Sequence, residues 1–322
     1  MMDDRERAGR NAMRKPKLLM VIAAKWAGLA NAAFDEAEII LHGRDSYRPE
    51  EIDYVLSFTP PRGLLASLPN LKVAFSLGAG VDGFLSDPDY PRHVPLVRFV
   101  DRTLSAEMAQ YVLMHVLMHH RRQRFFDKSQ HASVWNQQTL PRLTEDTRIG
   151  FLGLGAIGAF IAPKLLELGF QVASWTVHRK EIAGLKSFAG DAELTAFLGQ
   201  TDILVCLLSL TSKTNAILNA KTFVLLPKGA FVINVARGAH MNEADLVAAL
   251  NSGQLSGAVL DVFQEEPLPE QSPLWTHPNI TITPHISAVS QPAVVLDYVR
   301  NGIIVCERGE MPATVVDIET AY

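Results

Sequence analysis

The sequence predicts an α/β protein of two open parallel-sheet domains, on three observations. Its 322 residues amount to two domains at roughly 150 residues each. Short apolar, strand-like runs alternate with helix-like stretches along the chain, the pattern of sheets covered by crossover helices. Between one such strand and one such helix lies Gly153-Leu154-Gly155-Ala156-Ile157-Gly158, where a nucleotide-binding sheet places its phosphate turn.

The first strand is predicted over 18–24. Arg14-Lys15-Pro16-Lys17 before it gives the stretch the look of a secretory leader. The apolar run is short, however, and Lys25 and Trp26 follow at once. A buried strand is therefore the expectation, with the cytoplasm as compartment. Half of the first fourteen residues are charged, so 1–14 is expected as a disordered tail, with Met1 or Met13 as the start. Strands follow over 55–58, 71–75 and 96–100. Residues 105–124 read as one long helix, with Ala109, Val112, Leu113, Val116 and Leu117 at helical spacing. Residues 135–148 are polar, carry Pro141 and read as a linker. A second series has strands over 149–152, 172–175, 203–208, 230–234, 257–260 and 280–282. Its helix over 242–250 stops at Gly253. Residues 292–308 form a last helix.

Charge and cysteine content exclude several classes. Thirty basic and 34 acidic residues leave a net charge of −4, which gives no general attraction to nucleic acid or anionic lipid. No apolar run approaches the roughly 18 residues of a membrane span. Cys206, in an apolar run, reads as a small buried hydrophobe. With Cys306 as the other cysteine, there is neither a disulfide framework nor a Cys/His metal spacing. His115, His119 and His120 share a helix at tempting spacings, but no acid or cysteine joins them. Helix surface or interface is the expectation, and no metal site is predicted.

Gly153, Gly155 and Gly158 permit a tight turn and close approach of backbone to a pyrophosphate. The helix that opens at Ala156 and Ile157 then offers free N–H groups to it. At the end of the next strand an NAD-preferring protein commonly carries an acid. Here the order is Trp175-Thr176-Val177-His178-Arg179-Lys180. Thr176 can donate to a 2′-phosphate, and Arg179 with His178 or Lys180 supplies positive charge. The expected cofactor is NADP(H), with NAD(H) as the alternative.

Three further segments each follow a predicted strand: Asn234-Val235-Ala236-Arg237-Gly238, Leu260 through Leu268, and Thr283-Pro284-His285-Ile286-Ser287. Ligands gather at strand C-terminal ends in open α/β sheets, so Arg237, Glu266 and His285 are expected to converge. At these residues the sequence resembles the D-2-hydroxyacid dehydrogenase family, and within it the glyoxylate/hydroxypyruvate reductase A group. The resemblance runs from about Leu18 to the C-terminus and includes Leu77-Gly78-Ala79-Gly80-Val81-Asp82 and Ser272-Pro273-Leu274-Trp275.

That resemblance implies two Rossmann-like or flavodoxin-like domains, the cofactor domain (104–287) inserted in a catalytic domain (15–103 and 288–322). It also implies a homodimer built partly with the helix around Met108 to Leu117. Arg237 resembles the arginine that grips carboxylate and carbonyl oxygen, a task for a planar fork. His285 resembles the acid/base and Glu266 the carboxylate that orients it. Gly78, Ala79 and Gly80 resemble the loop whose N–H groups hold the substrate carboxylate. Asp261 resembles the residue that takes the nicotinamide carboxamide, and Leu208, Thr211, Ala236 and Ser287 fall where the family lines the cofactor.

There are departures. Ser209 and Ser212 stand where proline is common, which is expected to loosen the loop above the cofactor. Phe58 and Thr59 replace a Trp-His pair before Pro60-Pro61, in a substrate-pocket position. The function implied is NADPH-preferring reduction of small 2-oxo acids, glyoxylate or hydroxypyruvate, to the 2-hydroxy acids. An NAD-dependent dehydrogenase of another hydroxy acid and a dinucleotide-sensing interaction protein are the alternatives.

Overall fold

The computed structural model describes residues 14–22, 26, 28, 34–138 and 142–318. Residues 1–13 of the expected tail, Ala23 and Ala24 of the first predicted strand, and Pro141 lie outside them. The described residues form two compact units. One runs to Val100 and resumes at Ser290; the other is Asp101–Val289.

The first unit holds β1 (Lys17–Val21), β2 (Glu38–Leu41), β3 (Tyr54–Ser57), β4 (Val73–Ser76), the one-turn helix α1 (Asp82–Leu85) and β5 (Leu96–Val97). The second opens with α2 (Arg102–His120) and α3 (Gln123–His131). It continues through β6 (Arg148–Leu152), α4 (Ala156–Glu167), β7 (Gln171–Thr176), β8 (Lys186–Ala189), α5 (Gly190–Leu198) and β9 (Ile203–Cys206). Then come α6 (Ala220–Leu225), β10 (Ala230–Asn234), α7 (Glu243–Asn251), β11 (Leu255–Leu260) and β12 (Ile280–Ile282). The chain returns to the first unit with α8 (Pro292–Glu307).

The first unit is built on a parallel sheet of order β2-β1-β3-β4-β5. Every residue of β3 and β4 is buried, as expected of strands covered on both faces. The returning helix α8 is seated by shape. A Cβ on Gly302 would lie 2.6 Å from the Phe75 ring, so glycine is what lets the helix approach β4. Tyr298 meets Phe99 edge-on at 5.2 Å between centroids, and the Tyr54 hydroxyl donates to Glu307 at 2.6 Å.

The second unit has a seven-stranded parallel sheet of order β12-β11-β10-β9-β6-β7-β8. The chain moves outward from β6 through β7 and β8, then crosses back to β9. That reversal makes a topological switch point between β6 and β9, where open sheets bind their ligands. Alternate residues feed two cores. Leu152, Leu204, Cys206, Val232 and Leu260 pack with Phe197, Phe223 and Leu246 of α5, α6 and α7. Phe151, Val205, Ile233 and Val259 pack with Val112 and Val116 of α2 and Ile161 and Leu165 of α4. Cys206 is fully buried, and loss of hydration pushes its thiol up to about 12.

Four expectations are corrected. The helix predicted over 105–124 stops at His120, because Arg122 adopts φ +59° and starts α3 afresh. Strands β2 and β8 were not foreseen; each is a four-residue edge strand, too short to show periodicity. Leu207 and Leu208 lie beyond β9. The three histidines of α2, expected at a helix surface or interface, do not stand on open surface. His115 and His120 are buried, and His119 stacks on Phe231 with centroids 3.9 Å apart. Burial drives the His119 imidazole down to about 4 and lowers His115 and His120 too.

Candidate active site

Helix α4 begins where the glycine motif ends its turn. Gly153 sits at φ +94°, and a Cβ there would lie 2.9 Å from the Leu207 carbonyl. A Cβ on Gly158 would lie 3.0 Å from the Gly153 carbonyl. The turn is therefore compact because no Cβ stands at Gly153 or Gly158. Gly155 caps the helix without a side chain, and Ala156 and Ile157 start it with N–H groups that have no intrahelical acceptor. A glycine turn against a helix N-terminus at a switch point suits a dinucleotide pyrophosphate.

The turn after β7 arranges its polar groups among themselves. Thr176 is buried and donates its hydroxyl to the His178 carbonyl at 2.6 Å. His178 and Arg179 are exposed. The Arg179 guanidinium grips both oxygens of Glu193 at 2.6 and 2.7 Å and also donates to the Ser187 carbonyl. Glu193 is held below the ordinary carboxylate range, first by the Ala189 N–H and then by Arg179. The donation to a 2′-phosphate expected of Thr176 is thus directed to its own turn, because a hydroxyl has one proton to give. Lys180 reaches the Leu154 carbonyl at 3.1 Å, beside the glycine turn.

Leu208 and Thr211 lie in the loop after β9, and both are half-buried. Proline is absent from this loop, yet it is tied. Thr214 donates to the Ser209 carbonyl at 2.7 Å and accepts from the Thr211 N–H at 2.9 Å.

Arg237 follows β10. Its N–H donates to Nδ1 of the fully buried His240 at 3.2 Å, and that tautomer leaves the His240 Nε2–H for the Ser209 carbonyl at 3.4 Å. Asn234 donates to the Arg237 carbonyl and accepts from the buried Ala236 N–H. Gly238 comes next, and a Cβ there would fall 1.8 Å from the Phe263 carbonyl carbon. Only glycine admits the 263–266 backbone that close. That segment carries Glu266, whose Oε1 accepts the Phe263 N–H at 2.9 Å. Its Oε2 lies 2.7 Å from the His285 Nδ1.

His285 follows β12. Its backbone is left-handed at φ +54°, and its N–H donates to the Asp261 carbonyl at 2.8 Å. Asp261, fully buried at the end of β11, accepts from the Thr283 hydroxyl and from the N–H groups of Ile286 and Ser287. Its carboxylate therefore anchors the loop that carries His285 and Ser287.

The first unit places the other predicted residues. Gly78, Ala79 and Gly80 follow β4, where the Ser76 hydroxyl donates to the Gly80 carbonyl at 3.0 Å and accepts from the Gly78 N–H at 3.3 Å. Phe58 is exposed, and its ring lies 3.2 Å from where a Gly78 Cβ would stand. Thr59 packs against Gly83. Sequence reasoning had not singled out Gly238, His240 or Thr283. Gly238 and His240 sit within or beside the Arg237 motif, but their roles depend on contacts with residues far along the chain.

Residues 113–287 match the model of the D-isomer specific 2-hydroxyacid dehydrogenase NAD-binding domain. The chain belongs to the D-isomer specific 2-hydroxyacid dehydrogenase family. As such it is an oxidoreductase. It is 42% identical over 305 residues to glyoxylate/hydroxypyruvate reductase A of Yersinia enterocolitica, which covers 93% of this chain and 96% of that protein. Among solved structures it is similar to the NADPH-dependent glyoxylate/hydroxypyruvate reductase of Sinorhizobium meliloti in complex with NADP and sulfate. That match has TM-score 0.88 and 37% identity, over 96% of this chain and 100% of that one. A family dehydrogenase from Xanthobacter autotrophicus, solved with NADPH, matches with TM-score 0.89 at 37% identity, over 96% of this chain and 100% of that one.

Proposed function

We propose that this dehydrogenase is an NADPH-preferring reductase of small 2-oxo acids, with glyoxylate and hydroxypyruvate as first candidates. The observation that carries the reading is the 2.7 Å contact of His285 with Glu266, on loops that follow the C-terminal ends of β12 and β11 in the unit that also carries Arg237. The names of the relatives and the NADP(H) bound in the related structures support it.

When bound to the glycine turn and helix α4, NADPH supplies the hydride. Arg237 grips the substrate carboxylate and carbonyl oxygen through its planar fork. Glu266 accepts from Nδ1–H of His285, which orients the ring. Nε2 is then the position from which His285 gives its proton to the carbonyl oxygen. Gly78, Ala79 and Gly80 offer backbone N–H groups to the carboxylate, and Phe58 and Thr59 form a pocket wall. Leu208, Thr211, Ala236 and Ser287 line the cofactor, and Asp261 stands near its carboxamide. Arg179 moves from Glu193 to the 2′-phosphate, with His178 beside it.

In this reading 15–103 with 288–322 is the substrate domain and 104–287 the cofactor domain. The protein works as a cytoplasmic homodimer, an arrangement that the exposed Trp135 and Met114 support. Loss of NADPH absorbance with glyoxylate, hydroxypyruvate, pyruvate and phenylpyruvate tests the activity. Glyoxylate and hydroxypyruvate should turn over fastest, and a folded protein that turns over none of the four overturns the reading. Light scattering should give twice the chain mass.

A further inference from the structure

The loop that carries His285 is tied to helix α2 as well as to β11. Tyr111 of α2 places its hydroxyl 2.6 Å from the Thr283 Oγ1, and Glu107, one turn earlier, accepts the Val289 N–H at 2.8 Å. Proton count sets the direction of the chain of hydrogen bonds. Thr283 has one hydroxyl proton, and its oxygen lies 2.5 Å from the Asp261 Oδ1. A carboxylate only accepts, so Thr283 donates to Asp261 and its oxygen is left to accept from Tyr111. Both ends are buried, and burial pushes the Tyr111 phenol up to about 12, so it keeps the proton it donates.

The rest of the surroundings agree. His115 packs its ring 4.4 Å from that of Tyr111, and burial holds it toward the neutral form although Asp261 pulls the other way. Glu266 is the acid that touches the His285 ring. The titratable groups that face the loop are thus Asp261, Glu266, Tyr111, His115 and Glu107. None of the chemistry assigned above uses Tyr111 or Thr283. Tyr111 instead donates to Thr283 and Thr283 to the Asp261 carboxylate, which holds the two residues after His285, a residue in left-handed backbone.

We propose that Tyr111 is a positioning residue, acting through Thr283 and Asp261 to hold the His285 ring against Glu266. The inference rests on His285 being the proton donor. Tyr111→Phe keeps the buried ring and removes only the donor. It should lower kcat about tenfold, since small misplacements of a catalytic group are costly, and leave the NADPH Kd unchanged. The glyoxylate KM should also stay at the parent value, because Tyr111→Phe leaves the substrate grip assigned to Arg237 untouched, whereas a general loosening of the fold would raise KM and Kd together. Thr283→Val should reproduce the loss of kcat at unchanged KM and Thr283→Ser should not, and Tyr111→Phe added to Thr283→Val should cost nothing more. A Tyr111→Phe enzyme with the parent kcat overturns the proposal, as does a reduced kcat accompanied by a raised KM or NADPH Kd. His285→Asn is the control. If it keeps full rate, the proton-donor reading itself fails; if it is inactive while Tyr111→Phe is normal, only the positioning role fails.

Discussion

Two regions of the same sheet hold their charged groups in opposite ways. At the β11 and β12 ends, Asp261 is fully buried and three donors converge on it. Beyond β7, the Arg179–Glu193 pair stands in solvent, with side chains 48% and 39% exposed. A buried, fully hydrogen-bonded carboxylate resists rearrangement, because any lost partner leaves a group without water. An exposed ion pair is worth about 0–1 kcal/mol and exchanges readily. The contrast teaches that the loop carrying His285 is organised by its own buried hydrogen bonds, whereas the turn after β7 holds its arginine on a replaceable anion.

The largest effect expected is at the organised end. His285→Ala should cut kcat about 10²- to 10⁴-fold with the NADPH Kd unchanged, read by absorbance and fluorescence titration. Full retention of rate breaks the assignment. Asp261→Ala should follow, with about 1–3 kcal/mol of stability lost, because it strands the buried Ser287 N–H; a urea midpoint checks this.

Acid sharpens the same comparison. The His119 imidazole titrates near 4 when folded, against 6.5 when exposed. The unfolded chain therefore binds more protons between these values, and stability falls as pH drops from 6.5 toward 4. The loss should reach up to about 3 kcal/mol, and His119→Phe should flatten it in thermal scans. The exposed turn should respond mainly in selectivity. Arg179→Asp should lower the NADPH to NADH efficiency ratio about tenfold or more, as expected for lost charge-assisted bonds, with Tm hardly moved. Glu193→Gln should do least, reducing the NADPH KM about two- to threefold by releasing Arg179. A rise in KM would mean that Glu193 presents the arginine and does not restrain it.

Much of this was legible from residue order. The strands over 230–234 and 280–282 match β10 and β12 to the residue, because short, dense apolar runs bounded by turn formers have few other solutions. Asn242 caps α7 as the pattern indicates, accepting from the Asp245 N–H at 3.0 Å. The break at Arg121 and Arg122 was not legible, since nothing in a run of polar, helix-compatible residues marks a left-handed turn. Edge strands β2 and β8 escaped for a related reason: β8 has no apolar run, and β2 is brief.

Sequence by itself determined most of the strands, the glycine turn, and which residue types stand after each of those strands. These depend on local propensity and on periodicity, which one chain position and its neighbours express. Only tertiary structure decided that Gly238 must admit the Phe263 backbone, that His115 and His120 are buried while His119 stacks on Phe231, and that Asp261 holds the His285 loop. Those outcomes depend on packing and on the hydrogen-bond needs of buried groups, between residues up to well over a hundred positions apart, as with Tyr111 and Thr283. A carboxylate looks the same in sequence whether it faces a ligand or three backbone and hydroxyl donors; burial and geometry tell them apart.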